Sequence, residues 1–217
     1  LPPSTDFRTT RPACLRPRLP PSGIRSGVRT HAVFERFTEK AIRAILYSQQ
    51  EARKRGAAEV GTLHLLTGLV EELTTPNSLQ GSDDGLYGTE LTVLKTRHTA
   101  EALGIGGGKG SPADIGFSPT AKRALEASLK ESRALRLNFI SPELILVALL
   151  VDRTCGAARV LRALNISVDL LRIAALQTIV QDTEEEGEAE GLDVILSDIK
   201  KAEEVIIRST KPLYDPR

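Results

Sequence analysis

The sequence predicts an all-α fold made of one helical unit used twice, about eight helices related by a pseudo-twofold. Three observations carry this. Residues 34–70 are written again over 117–150 at a constant offset of 80, from Phe37 and Phe117 to Leu69 and Leu149 without a gap. A fixed internal period marks one structural unit repeated. Within each copy, small and apolar residues fall at helical steps. Aromatic residues make up only 4% of the chain and Trp and Met are missing, so Leu, Ile, Val and Ala must do the packing. That composition suits helices better than a β-sandwich.

The first helix of each unit follows from its spacing. Ala41, Ile45, Ser48 and Ala52 share one face, as do Ala121, Leu125, Ser128 and Ser132. The small side chains predict close helix–helix approach. Thr38 and Ser118 are placed to cap the free amides, and Pro119 sits where a missing N–H costs nothing. A second helix is expected after caps at Thr62 and Ser141, with Pro142 in the first turn. Leu65, Leu66 and Leu69, and then Ile145, Leu146 and Leu149, give these helices their apolar stripes. One such pair cannot bury its stripe alone, whereas two packed together can.

Around the repeats the composition changes. Residues 1–31 hold six arginines, six prolines and one acid, Asp6. An Arg-rich, Ser-containing, acid-poor stretch reads as a transit-peptide-like, disordered leader. Without it the formal charge moves from +1 to −4, so the balance of the full chain says little about partners. Residues 32–182 are expected to form the folded body, with repeat one at 34–103, a linker at 104–116 and repeat two at 117–181. Residues 74–88 read as a polar surface loop, a helix is expected to resume at 89–103, and 104–116 reads as a flexible connector. Val160, Leu161 and Leu164, and then Leu171, Ala174, Ala175, Ile179 and Val180, mark two further amphipathic segments. Residues 183–217 comprise an acidic linker, a last helix over about 191–208 and a tail.

No catalytic, cofactor-binding or metal-binding residue is expected. Gly108-Lys109 lacks the glycine and the Ser/Thr that a phosphate loop needs around it. His31, His64 and His98 are scattered, and His64 is expected to pack within a helix. Cys14 and Cys155 give no disulfide framework. Glu51/Arg53 and Glu131/Arg133 recur, but charges two apart on a helix do not face each other. They are expected to support neighbouring turns. Neither a nucleic-acid arm nor a membrane span emerges; no apolar run reaches the roughly 18–20 residues a spanning helix needs.

The stretches FERFTEKA, QQEARKRG and VGTLHLLTGL resemble the first repeat of the Clp amino-terminal domain found at the front of ClpC-type unfoldase chaperones. FSPTAKRALEASLKESR, NFISPELILVALL and GAARVLRALNI resemble the second. The likeness covers about 34–180 and departs in two places. The acid that the family carries after Gly-Thr is Leu63 in the first unit and is kept as Glu143 in the second. The third helix of the first unit looks to be replaced by the loop 74–88. A Clp amino-terminal domain with a transit-like leader and no Walker motif after residue 181 resembles the ClpT accessory proteins of plastids. That resemblance implies a non-enzymatic subunit in the chloroplast stroma, binding the ClpP/ClpR protease core and supporting its assembly or chaperone docking. Two alternatives stay open: a substrate-recognition adaptor for a ClpC-type unfoldase, and an amino-terminal fragment of such an ATPase.

Overall fold

The computed structural model describes residues 36–78, 85–108, 115–186 and 192–210. The leader, residues 79–84, 109–114 and 187–191, and the terminal tail lie outside the described residues. Eight helices are described: α1 (Glu39–Lys54), α2 (Thr62–Ser78), α3 (Val93–Ala102), α4 (Pro119–Ala134), α5 (Pro142–Leu149), α6 (Gly156–Ala163), α7 (Val168–Glu186) and α8 (Leu192–Thr210). A single 3-10 turn, Leu86–Gly88, precedes α3.

The two units repeat in detail. Thr38 Oγ1 accepts from the Ala41 amide and Ser118 Oγ accepts from the Ala121 amide, both at 3.2 Å. The small residues of both first helices are buried as their spacing requires, Ser48, Ser128 and Ser132 included. α1 and α2 touch most closely at Gly68. A Cβ there would lie 2.4 Å from the Ala44 carbonyl oxygen and 2.6 Å from the Ser48 nitrogen. The corresponding residue of repeat two is Ala148.

The repeats also clasp each other. Phe37 pairs with Ile140, and Val60 with Phe117, each as an isolated parallel bridge. Phe37 and Phe117 are equivalent positions, as are Val60 and Ile140, so the segment entering each unit pairs with the turn between the two helices of the other. The Thr38 amide donates to Ile140 O and the Ser118 amide to Val60 O, both at 3.0 Å. In return the Ile140 amide reaches Arg36 O at 2.7 Å, and the Val60 amide reaches Gly116 O at 2.8 Å. α2, α5 and α7 supply the centre of the core, where Leu65, Leu66, Leu69, Ile145, Leu146, Leu149 and Leu171 are almost wholly excluded from solvent.

Several expectations need correction. α2 does not stop at residue 73: it runs through Pro76 to Ser78, and the turn after it buries Leu86 and Leu91. Of the stretch 74–88, residues 74–78 are therefore helix and Leu86 belongs to the core, while 79–84 lie outside the described residues. The third helix of repeat one is also present. α3 ends on Gly104 (φ 63°), whose amide reaches Glu101 O while the Ile105 amide reaches Ala100 O. α6 ends the same way on Asn165 (φ 56°), with Asn165 N to Arg162 O and Ile166 N to Leu161 O. This left-handed stop favours Gly and, next, Asn. AEALGI and LRALNI are thus the same helix end, 61 residues apart instead of 80. Between Ala102 and Pro119 no helix is described that would match α7.

α7 continues to Glu186, so the first acids after residue 182 are helical. α8 packs on α7 through Ile195 and Ile199, both buried.

Candidate functional site

Two features distinguish the surfaces of this duplicated body: a buried ionic cluster in repeat one, and a pair of grooves related by the repeat.

Glu51 on α1 is buried and takes both arginines within reach. Arg97 of α3 closes on it in a fork, Nη2 to Oε2 at 2.7 Å and Nε to Oε1 at 3.0 Å. Arg55, one turn along α1, adds Nε to Oε1 at 3.1 Å. Burial alone would raise the Glu51 carboxyl, but the hydrogen bonds and charges of Arg97 and Arg55 outweigh it and hold the group below its usual value. Arg55 also donates to the carbonyls of Ile105 and Arg97. His64 completes the attachment. Its Nδ1 accepts from the Gly61 amide at 3.0 Å, which fixes the tautomer and leaves Nε2 to donate to Gly106 O at 2.9 Å. Burial lowers its pKa below the ordinary histidine value.

His64 therefore packs, as the sequence indicates, and also does the work assigned to Thr62. Thr62 is the first helical residue; the capping position is Gly61, which has no side chain, and His64 reaches back to its amide. At Ser141 the expected cap is present, accepting from the Leu144 amide. Arg53 is exposed and does not enter the ionic cluster; Glu51 bonds the arginine four residues on instead. The part of the connector that is described, 104–108, is pinned by His64, by Arg55 and by the Gly108 amide on Arg55 O.

The grooves lie at the seams between the units. One, of about 570 Å³, opens between the starts of α1 and α5 and is lined by Lys40, Arg43, Phe139, Glu143 and Asp182 among others. Glu143 is buried there and its carboxyl is raised by that burial. The Tyr87 hydroxyl, buried beside Thr178 of α7, is likewise pushed up, by burial first. The other groove, of about 190 Å³, uses the equivalent positions Thr120, Arg123 and Thr62, and continues over Ala127, Val151 and Cys155. The second is the more apolar, with Arg123 and Asp152 as its charged residues. Cys155 itself is buried, and its sulfur caps α6 at 3.5 Å from the Ala158 amide. Among the described residues no cluster of His, Cys, Asp and Glu is arranged to hold a metal.

These features are those of a duplicated helical domain with grooves at its seams. The model of the Clp repeat (R) N-terminal domain matches residues 36–164. The chain belongs to that family. Among its relatives are the chloroplastic chaperone ClpC2 of Oryza sativa, 38% identical over 192 residues, and the chloroplastic chaperone ClpD of Arabidopsis thaliana, 35% identical over 193. These alignments take in 87% and 82% of this chain but 20% and 19% of the relatives, so the chain spans about a fifth of their length. The crystal structure of the N-terminal domain of Arabidopsis ClpD superposes with a TM-score of 0.57 at 38% identity, covering 67% of this chain and 99% of that one. The Hsp104 N-terminal domain of Candida albicans shares the fold, with a TM-score of 0.52 at 20% identity, over 65% of this chain and 90% of that one. The chloroplastic relatives support plastid localisation.

Proposed function

We propose that this chain is a non-catalytic accessory subunit of the plastid Clp protease, binding the ClpP/ClpR core and supporting its assembly or the docking of a ClpC-type chaperone. In this reading residues 1–31 are a leader removed on import and 32–182 are the interaction body. One observation carries it. On α1, Ile42 and Leu46 lie one turn apart and are 39% and 48% exposed. At the same places on α4 the second repeat has Lys122 and Glu126. The fold accepts charge at these positions, so the apolar pair is not there for the core, and an exposed apolar ridge fits contact with another protein.

The test is co-purification from plastid stroma without added ATP. The protease ring is expected to come down with the chain, and Ile42→Lys with Leu46→Glu to lose the ring without altering the melting temperature. An unchanged native mass of the ring in a strain lacking this chain removes the assembly role. Recovery of the chaperone in place of the ring favours an adaptor that presents substrates.

A further inference from the structure

We infer that the smaller groove is a binding site for the carboxyl terminus of a partner chain that ends in an apolar residue. The inference goes beyond ring association and does not depend on it.

The evidence is a broken symmetry. In repeat one, Arg43 is held by two acids: Glu72, at 2.8 and 3.1 Å, and Glu39, at 3.4 Å. Its equivalent in repeat two is Arg123, and both acids have changed. The Glu39 position is Pro119, which has no charge. The Glu72 position is Asp152, one methylene shorter and beyond the end of α5. Its carboxylate is turned away, with Oδ1 accepting from the Thr154 amide at 2.9 Å and from the Thr154 hydroxyl at 2.6 Å. That bonding, led by the hydroxyl, holds Asp152 below its usual value, and Arg123 adds only a longer-range charge effect. Arg123 makes no ion pair within 4 Å among the described residues. A guanidinium whose twin is saturated thus stands exposed at the mouth of a cavity.

The cavity beside it supplies the second half of the recognition. Its floor is Ala124, Ala148, Leu149 and Cys155, all buried, and Val151 forms a lip that is 53% exposed. At about 190 Å³ it is smaller than the ~300–1,000 Å³ of pockets for drug-sized ligands, and suits one aliphatic side chain. A carboxylate next to that side chain meets the Arg123 fork, which matches it in charge and in planar geometry. An internal peptide residue offers the side chain but no charge. A terminal residue with a leucine-like side chain offers both. Asp152 also lines the small groove, but its carboxylate is taken by Thr154. The groove of repeat one cannot serve in this way, because Arg43 is already paired and two acids, Glu143 and Asp182, line its walls.

Amide NMR of the full chain tests this with three acetylated pentapeptides: Gly-Ser-Gly-Ala-Leu as the free acid, the same peptide as its carboxyl-terminal amide, and the free acid ending in Asp. The leucine acid is expected to shift the Ala127, Val151 and Asp152 amides saturably, and to bind at least about tenfold more tightly than the other two, since a charge-assisted fork is lost in one and the apolar anchor in the other. Arg123→Gln should bring the acid down to the level of the amide. Ala127→Phe should abolish the shifts by filling the cavity. If that variant unfolds, exposed Arg123 decides alone, with Lys122→Gln as the neutral control. Equal binding of acid and amide, shifts confined to another face, or no shift at millimolar peptide overturns the proposal.

Discussion

Arg97 and Glu51, 46 residues apart in the chain, form a two-pronged ion pair with the carboxylate 3% and the guanidinium 28% exposed. The pair joins α3 to α1, and through Arg55 it also holds the connector. Breaking a buried pair from one side leaves an uncompensated charge. Glu51→Gln is therefore expected to cost about 3 kcal/mol in urea unfolding, and Arg97→Ala somewhat less because its partner keeps Arg55. Glu131→Gln at the equivalent place in repeat two, where no such pair is made among the described residues, should fall within about 0.5 kcal/mol of the parent. Equal losses at Glu51 and Glu131 would show that the pair adds nothing.

His64 sets a pH dependence. Its folded pKa lies below the ordinary value of 6.5, so the unfolded chain binds the proton first as pH falls. The stability it contributes is complete above pH 6.5 and declines as pH drops below that towards the folded value. A protonated ring cannot accept from the Gly61 amide, and the bond at the start of α2 is lost. His64→Leu, the residue that repeat two carries as Leu144, should remove this part of the acid slope in a melting series. An unchanged slope would place its origin elsewhere.

Glu143 acts with the opposite sign. Its carboxyl is raised by burial above 4.5, so the native state takes up the proton before the unfolded chain does. This burial is least costly below pH 4.5, and stability is lost as pH rises through the folded pKa. Glu143→Gln should raise the melting temperature at pH 7–8 and make little difference at pH 4. A destabilised variant at pH 7–8 would mean that the bonds from Ser141 and its own amide, with the charge of Lys40, outweigh the cost of burying the carboxylate.

The four clasp amides, Thr38, Ser118, Val60 and Ile140, bond across the repeats and not within them. They can open only when the two units part. Hydrogen exchange at all four should therefore follow the global unfolding free energy, whereas the amides of Leu94 and Lys95 at the start of α3 should exchange through local fraying. Faster exchange at one pair of clasp amides than at the other would show that the units open separately.

Much of this architecture was legible because the chain states it twice. The offset of 80 located Thr38 and Ser118 as caps, and the buried Ala and Ser positions beneath them, before any coordinates. The misses share a cause: they lie where the copies differ. Glu51 looks the same as Glu131, and only the distant Arg97 makes it a buried ion pair. Gly61 offers no side chain to read as a cap, and the compensating His64 looks like any core histidine. The helix expected over 89–103 is present, but its identity as the third helix of repeat one escaped because it stands at an offset of 61; its signal was the shared stop of Gly104-Ile105 and Asn165-Ile166. The small groove was out of reach of sequence alone, since the exposure of Arg123 follows from where the Asp152 carboxylate turns.

The reciprocal pairing of each unit's entry segment with the other's inter-helix turn has a practical corollary. Neither half carries a complete edge of its own, so neither should fold when expressed by itself. Scission of the peptide chain between Gly108 and Ile115 ought to leave a nicked heterodimer that survives gel filtration, and the two pieces, mixed after denaturation, should reassemble as one particle. On this expectation the duplicated segment is an obligate dimer whose partners happen to share a single backbone.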